Sequence, residues 1–198
     1  VTQTVKLRDA VAIVGDSVEA VFAGREVLKA TWKGGRTVGY DSEKALDEYA
    51  ARGRKLDEKG LAYRNEGDAI GAIGKAAKVF TAEYQSDYVH HAQLEPVNAT
   101  VSVNEAGDGA EVWMGTQGQT IIAGALAGFL KTKPQNIKVH QHLLGGGFGR
   151  RAYPDLAIYG AAISRSVKKP VKLIWTREQD VKSPIVLPWH RFLPGCYY

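Results

Sequence analysis

Apolar positions along the chain fall into short blocks whose period changes repeatedly. Ala10 to Val14 is an apolar, partly β-branched run that stops at Gly15-Asp16, the pattern of a buried strand followed by a turn. Ser17 then stands as N-cap for a helix over Val18 to Ala30, in which Val18, Val21, Phe22 and Leu28 lie near helical spacing. Gly34-Gly35 breaks the pattern, and Ser42 opens a more polar helix from Glu43 to about Arg52, with Leu46 and Tyr49 on one side. Residues 53–67 are polar and punctuated by glycine, and Asp68 caps a short helix to about Lys75. Lys78 to Tyr84 alternates in part and predicts a half-buried strand.

The second half repeats the alternation more regularly. Val97 to Val103 and Ala110 to Met114 read as two strands around the turn Asn104 to Gly109, a hairpin with a long loop. From Gln119 to about Lys131 the apolar residues Ile121, Ile122, Ala125, Leu126, Phe129 and Leu130 keep a period near 3.6, so a helix is predicted there, stopped by Pro134. Ile137 to Leu144 is the next strand and runs into Gly145-Gly146-Gly147-Phe148-Gly149; a helix from Pro154 to about Ser166 and a buried strand Val171 to Trp175 follow. Strands and helices in this order imply an α+β (mixed α/β) layered fold, with a domain boundary near residues 66–78.

Composition narrows the function classes. With 198 residues, 44% hydrophobic and 24% charged, the chain has the make-up of an ordinary globular protein. Its net charge of +5 is spread out: Arg150-Arg151 and Lys168-Lys169 are isolated pairs, not the continuous stripe that phosphate tracking needs, so no nucleic-acid partner is expected. Cys196 is the single cysteine, which rules out a disulfide framework or an iron–sulfur cluster built from this chain's own thiols. No transmembrane segment is expected, because the apolar runs are cut by glycine or charge well short of spanning length. The opening residues also lack the three regions of a signal peptide.

Three places hold candidate chemistry. In the Gly145 to Gly149 loop, residues without Cβ let backbone N–H groups approach an anionic or oxo-bearing ligand; a plain tight turn is the competing reading. The loop has neither the G-x-G-x-x-G spacing of a dinucleotide site nor the Gly-Lys-Ser/Thr of a P-loop, which argues against a nucleotide-dependent dehydrogenase. Thr116-Gln117-Gly118-Gln119 sits where a strand ends and a helix starts, so a glutamine amide there either donates to such a ligand or only caps the helix. His90-His91-Ala92-Gln93-Leu94-Glu95-Pro96 does not have metal-ligand spacing, and a hydrogen-bonded role near a site suits it better. His140 and His142 share one strand face, but Lys138 lies on that face too and nothing nominates a third ligand; no metal-ligating residue is expected.

His91 to Pro96, Trp113-Met114-Gly115-Thr116-Gln117, Leu143 to Arg151 and Val171 to Glu178 also form an ordered series. That series resembles the large subunit of xanthine dehydrogenase/aldehyde oxidase-type molybdenum hydroxylases. The Gly-Gly-Gly-Phe-Gly-Arg-Arg form is most similar to the branch named for isoquinoline 1-oxidoreductase beta subunits and related bacterial aldehyde dehydrogenases. Val11 to Trp32 resembles the hammerhead α/β module that precedes the cofactor domain. The likeness divides the chain into 1–75, the end of a hammerhead module with its linker, and 76–198, the start of a molybdenum-cofactor-binding domain. It extends to about Asp180; Lys182 to Tyr198 departs from it, apart from an echo in Pro188 to Phe192, and the ending Leu193 to Tyr198 reads as a truncation or frame-shift product.

The resemblance implies molybdenum held by molybdopterin, in the cytosine dinucleotide form, and iron–sulfur clusters on a partner subunit. It implies a reaction in which an aldehyde or aromatic N-heterocycle is hydroxylated with oxygen from water. By position, Gln117 corresponds to the glutamine that hydrogen-bonds the molybdenum oxo ligand, and Gly146, Gly147, Phe148, Gly149 and Arg150 to the loop lying against the metal centre. Purine-type members carry a substrate-binding glutamate where this chain has Ala152, so purines are not the expected substrate. The family's general-base glutamate lies beyond this chain, which is therefore expected to be a fragment without turnover of its own. The alternative is a stand-alone, inactive binding or scaffold module of the same fold. A bacterial cytoplasm or periplasm is compatible with everything above.

Overall fold

The computed structural model describes residues 1–35, 38–55, 58, 60–64 and 66–182. The expectations for the tail after Lys182, Pro188 to Phe192 and Cys196 included, lie outside the described residues. The described residues divide into two compact units, one of Val1–Trp32 together with the described chain from His90 onward, the other within Lys33–Val89.

In the first unit, strands β1 (Gln3–Lys6) and β2 (Val11–Val14) form an antiparallel pair, and helix α1 (Val18–Val27) follows with Ser17 as its cap; the Ala20 N–H donates to Ser17 Oγ. β1 went unforeseen because Gln3–Lys6 carries a single buried residue, Val5, too few for a visible alternation. α1 ends three residues earlier than its spacing suggested, since Leu28 turns to extended backbone.

The second unit holds α2 (Ser42–Gly53), capped by Asp41, and the short α3 (Ala69–Gly74), capped by Asp68 as expected. Ser42 is thus the first helical residue and Asp41, whose carboxylate accepts from the Glu43 and Lys44 N–H groups, is the cap. The strand predicted over Lys78 to Tyr84 does not form. Phe80 and Tyr84 stand exposed there, and no described strand lies alongside to take the backbone hydrogen bonds on which a strand depends.

The main sheet of the first unit has the order β5-β4-β3-β6. β3 (Asn98–Val103) and β4 (Ala110–Met114) are the expected hairpin, its turn held by Asn104, whose side-chain oxygen accepts from the Asp108 and Gly109 N–H groups. α4 (Gln119–Leu130) then carries the chain to β5 (Ile137–Gln141), which runs parallel to β4. α5 (Asp155–Val167) leads to β6 (Val171–Ile174), antiparallel to β3 on its other side, and α6 (Arg177–Lys182) closes the described chain.

Alternation along the strands sets which face is dry. Ala99 and Val101 on β3, Ala110, Val112 and Met114 on β4, and Ile137 on β5 are buried, while their neighbours Glu111 and Lys138 point the other way. Ile122 and Leu126 of α4 and Leu156, Ala157 and Ala161 of α5 pack on that dry face, giving a sheet with two helices against it. At Gly160 the helix comes so close that a Cβ would lie 2.6 Å from Val101 Cγ2, so the packing distance depends on a missing side chain. Ser164 Oγ accepts from the Val103 N–H and donates to the Lys169 carbonyl, which ties the end of α5 to β3.

Candidate functional site

Because β4 and β5 are parallel neighbours, their C-terminal ends deliver two loops, 115–118 and 142–149, to the same edge of the sheet. β5 stops at Gln141, before the predicted Leu144; the His142 N–H still bonds the Met114 carbonyl, after which Leu143 is fully exposed and the chain leaves the ladder. The loops are sewn together. Gln141 Nε2 donates to the Thr116 carbonyl (3.0 Å), and both Thr116 Oγ1 and the Gln117 N–H donate to the Arg151 carbonyl (3.0 and 3.1 Å).

Gln117 and the glycine loop meet directly. Gln117 Oε1 accepts from the Gly149 N–H at 3.0 Å. A Cβ on Gly147 would sit 2.6 Å from Gln117 Oε1, so only glycine lets the backbone lie against that amide. Gly146 and Gly149 have φ of +92° and +95°, and Phe148 is held at +48°, a left-handed value uncommon for a bulky residue. Phe148 is 70% exposed, and the edge of its ring lies over Gly146, where a Cβ would sit 3.1 Å from Phe148 Cε2. The Gln117 Nε2 hydrogens make no hydrogen bond among the described residues, and with Oε1 already engaged they form the donor surface of the site.

A buried brace holds the loop from behind. Glu95 Oε2 accepts from the Gly145 N–H (2.9 Å) and from Arg151 Nη2 (2.7 Å), while the Glu95 N–H returns a bond to the Gly145 carbonyl. Arg151, almost wholly buried, also donates to the Gly146 and Glu95 carbonyls (both 2.8 Å). Burial pushes the Glu95 carboxyl up, but the Gly145 N–H, Asn98 and the Arg151 charge outweigh it and hold the group below its ordinary value.

Of the residues singled out by the sequence, Gln117, Gly147 and Gly149 come together at one point, and Gly146 packs over the backbone of Gln93. Phe148 stays largely exposed, its ring edge over Gly146. Arg150 turns inward: it is 1% exposed, and its guanidinium forms a two-bond pair with Asp155 at 2.8 and 2.7 Å. His140 and His142 do not act together, since the His140 ring stacks on Trp113 (4.8 Å between centroids) and bonds Glu111 at 2.8 Å. Among the described residues no group of three His, Cys, Asp or Glu side chains could hold a metal ion.

Arg151 and Asp155 escaped the sequence reading as site residues, while Glu95 and Thr116 lie in segments it singled out without giving either residue a role of its own. Their role rests on long-range pairing: Glu95 and Arg151 are 56 positions apart. The available signal was the adjacent Arg150-Arg151 pair straight after a glycine loop, which as surface charge had no purpose.

The molybdopterin cofactor-binding domain family matches residues 55–185. The chain is 37% identical over 178 residues to the beta subunit of isoquinoline 1-oxidoreductase from Brevundimonas diminuta, an overlap of 87% of this chain and 23% of that protein. It is 36% identical to a membrane-bound aldehyde dehydrogenase (pyrroloquinoline-quinone) of Gluconacetobacter polyoxogenes, covering 87% of this chain and 22% of that protein. It is 28% identical to a nicotinate dehydrogenase subunit of Pseudomonas putida (91% and 15%). The chain thus spans less than a quarter of the length of these curated relatives. Among the described residues no helix is long and apolar enough to cross a membrane.

Proposed function

Since the chain belongs to the molybdopterin cofactor-binding domain family, we propose that it supplies the glycine-loop wall of a molybdenum-cofactor site in a larger hydroxylase subunit acting on an aldehyde or an aromatic N-heterocycle. The observation that carries this reading is the contact of Gln117 with Gly147 and Gly149. It sets a neutral side-chain donor and a side-chain-free stretch of backbone on one surface, which suits an oxo-bearing group that charged side chains would over-bind. The names of the relatives, isoquinoline, nicotinate and aldehyde enzymes, support the substrate class.

When bound, molybdopterin-held molybdenum would supply the two-electron oxidising centre. The chain's own contribution is positional. Gln117 Nε2 would donate to the group, with its carbonyl oxygen pinned by the Gly149 N–H so that the amide cannot flip. The backbone of Gly147 would lie against it because no Cβ intervenes. Arg151 and Glu95 would keep the loop in this shape before the group arrives. Ala152, in the turn after the loop, offers no carboxylate to a purine.

Electrons would leave to iron–sulfur clusters outside this chain, whose single cysteine cannot hold one, on a partner subunit as the resemblance implies. The cytosine dinucleotide form of the pterin and the lack of turnover by these 198 residues alone belong to the same proposal. The name of one relative carries pyrroloquinoline quinone instead, so the deciding experiment is cofactor analysis of the polypeptide containing this chain, purified from its source cells. Molybdenum and pterin in equal amounts are expected; pyrroloquinoline quinone without molybdenum would refute the reading. In the loaded enzyme, Gln117→Ala is expected to lower kcat by roughly 10- to 1000-fold with molybdenum content unchanged, by analogy with loss of one preorganised donor.

A further inference from the structure

Residues 93–95 form the seat of the glycine loop and belong to no strand or helix. A Cβ on Gly145 would lie 2.6 Å from Glu95 Cβ, and one on Gly146 3.5 Å from Gln93 Cα, so the loop rests against this segment. The three carbonyls of the seat are taken by two arginines. Arg151 Nη2 donates to the Glu95 carbonyl at 2.8 Å, and Arg177 Nη2 donates to those of Gln93 and Leu94 at 2.6 and 2.8 Å. Guanidinium groups thus stand in for the neighbouring strand that such carbonyls would otherwise need.

Each arginine is aimed by a carboxylate. For Arg151 it is Glu95, within the brace. For Arg177 it is Asp180, three residues on in α6: Arg177 Nη1 donates to Asp180 Oδ2 at 3.0 Å. Gln93 Nε2 donates to the same oxygen at 2.8 Å, so one atom holds both the gripping arginine and a side chain of the seat. His90 closes the other side. Its Nδ1 accepts from the Ala92 N–H at 2.9 Å, and its Nε2–H faces Asp180, 3.1 Å from the carbonyl oxygen and 3.8 Å from Oδ1. Gln93 and Asp180 have no exposure, and Gln93 Oε1 and Asp180 Oδ1 make no hydrogen bond among the described residues. Burying a carboxylate is costly, and a well-packed apolar group often stabilises as much, so a defined geometry is what the buried charge provides.

We infer that Asp180 is a positioning residue of the glycine loop: through Arg177 and Gln93 it fixes the seat on which Gly145 and Gly146 lie. The shape of the loop is then set from α6, 84 to 87 positions along the chain from the seat. What that shape does for a bound cofactor rests on the proposed function. The hold of Asp180 on the loop does not, and it is tested without cofactor, so either can fail alone.

Amide hydrogen exchange in the full chain reads the loop through the Gly145 and Gly149 N–H groups, with Leu126 in α4 as the measure of global stability. Asp180→Ala is expected to speed exchange at both glycines by roughly 10- to 100-fold more than at Leu126, the loss of a hydrogen bond to a charged group. Asp180→Asn keeps an oxygen for both donors and should stay within about threefold of the parent chain. Should Asp180→Ala fail to fold, Arg177→Met at a side chain 39% exposed is expected to give the same selective acceleration. A merely structural Asp180 would speed Leu126 and the glycines by the same factor. That result, unchanged glycines in the folded variants, or Asp180→Asn matching Asp180→Ala would each overturn the inference.

Discussion

Replacing Glu95 by Ala tests whether the glycine loop is held by the buried brace. The side chain of Arg151 is 2% exposed and that of Glu95 is 39% exposed, so the pair is neither a surface ion pair nor a fully dry one. Removing one partner of a buried pair costs about 3–5 kcal/mol because it strands the other charge, whereas exposed pairs contribute about 0–1 kcal/mol. Arg151 would keep the Gly146 and Glu95 carbonyls as acceptors, and solvent reaches the carboxylate side. The loss is therefore expected to be about 2–3 kcal/mol, including the orphaned Gly145 N–H. For a chain of this length that is a fall in Tm of about 5–10 °C. Glu95→Gln retains an acceptor for the Gly145 N–H while losing the charge, and about 1 kcal/mol is expected. Urea denaturation followed by tryptophan fluorescence measures both. A Glu95→Ala midpoint within about 0.5 kcal/mol of the parent chain would show that the loop does not depend on the brace.

Gly147→Val drives a branched side chain into Gln117, so it should break the Gln117–Gly149 bond and lower molybdenum loading of the full subunit; normal loading would favour a plain turn. Leu126→Ala opens a cavity in the core between α4 and the sheet, at a side chain with no exposure, and should cost about 3 kcal/mol or more in urea melts. Acid should destabilise the chain in two stages. Burial, with the Arg150 and His90 charges, lowers the His91 value from 6.5 against a smaller opposing effect of Asp180, and the brace lowers Glu95 from 4.5. In both cases the unfolded chain binds the proton first, so their stabilisation is complete above those ordinary values and is lost as pH falls through the folded ones. Thermal melts should show a level Tm above about pH 7, a decline beginning near 6.5 and a second near 4.5; a Tm that rises on acidification would contradict the assignment.

What the sequence determined by itself is local. The period near 3.6 of Gln119 to Lys131 needs only the chain's own spacing and a stop at Pro134, and α4 formed where that spacing placed it. The same holds for the β3–β4 hairpin, whose turn is made by Asn104 bonding residues four and five positions on. The glycine loop and Gln117 were visible as motifs because their distinguishing property, absence of a side chain beside a neutral amide, is written in residue types.

Tertiary structure decided whatever depended on a partner far along the chain. Lys78 to Tyr84 has a strand's alternation but no described strand beside it, and an unpaired strand leaves its backbone groups unsatisfied. The adjacent arginines look alike in sequence; packing sends Arg150 to Asp155 and Arg151 to Glu95, and only the second holds the loop. Glu95 became part of the site because β4 and β5 run parallel and bring their ends to one edge, where Gly145 and Arg151 meet it across 50 and 56 positions. Contacts at that separation follow from strand order and helix packing, which no local window of residues contains.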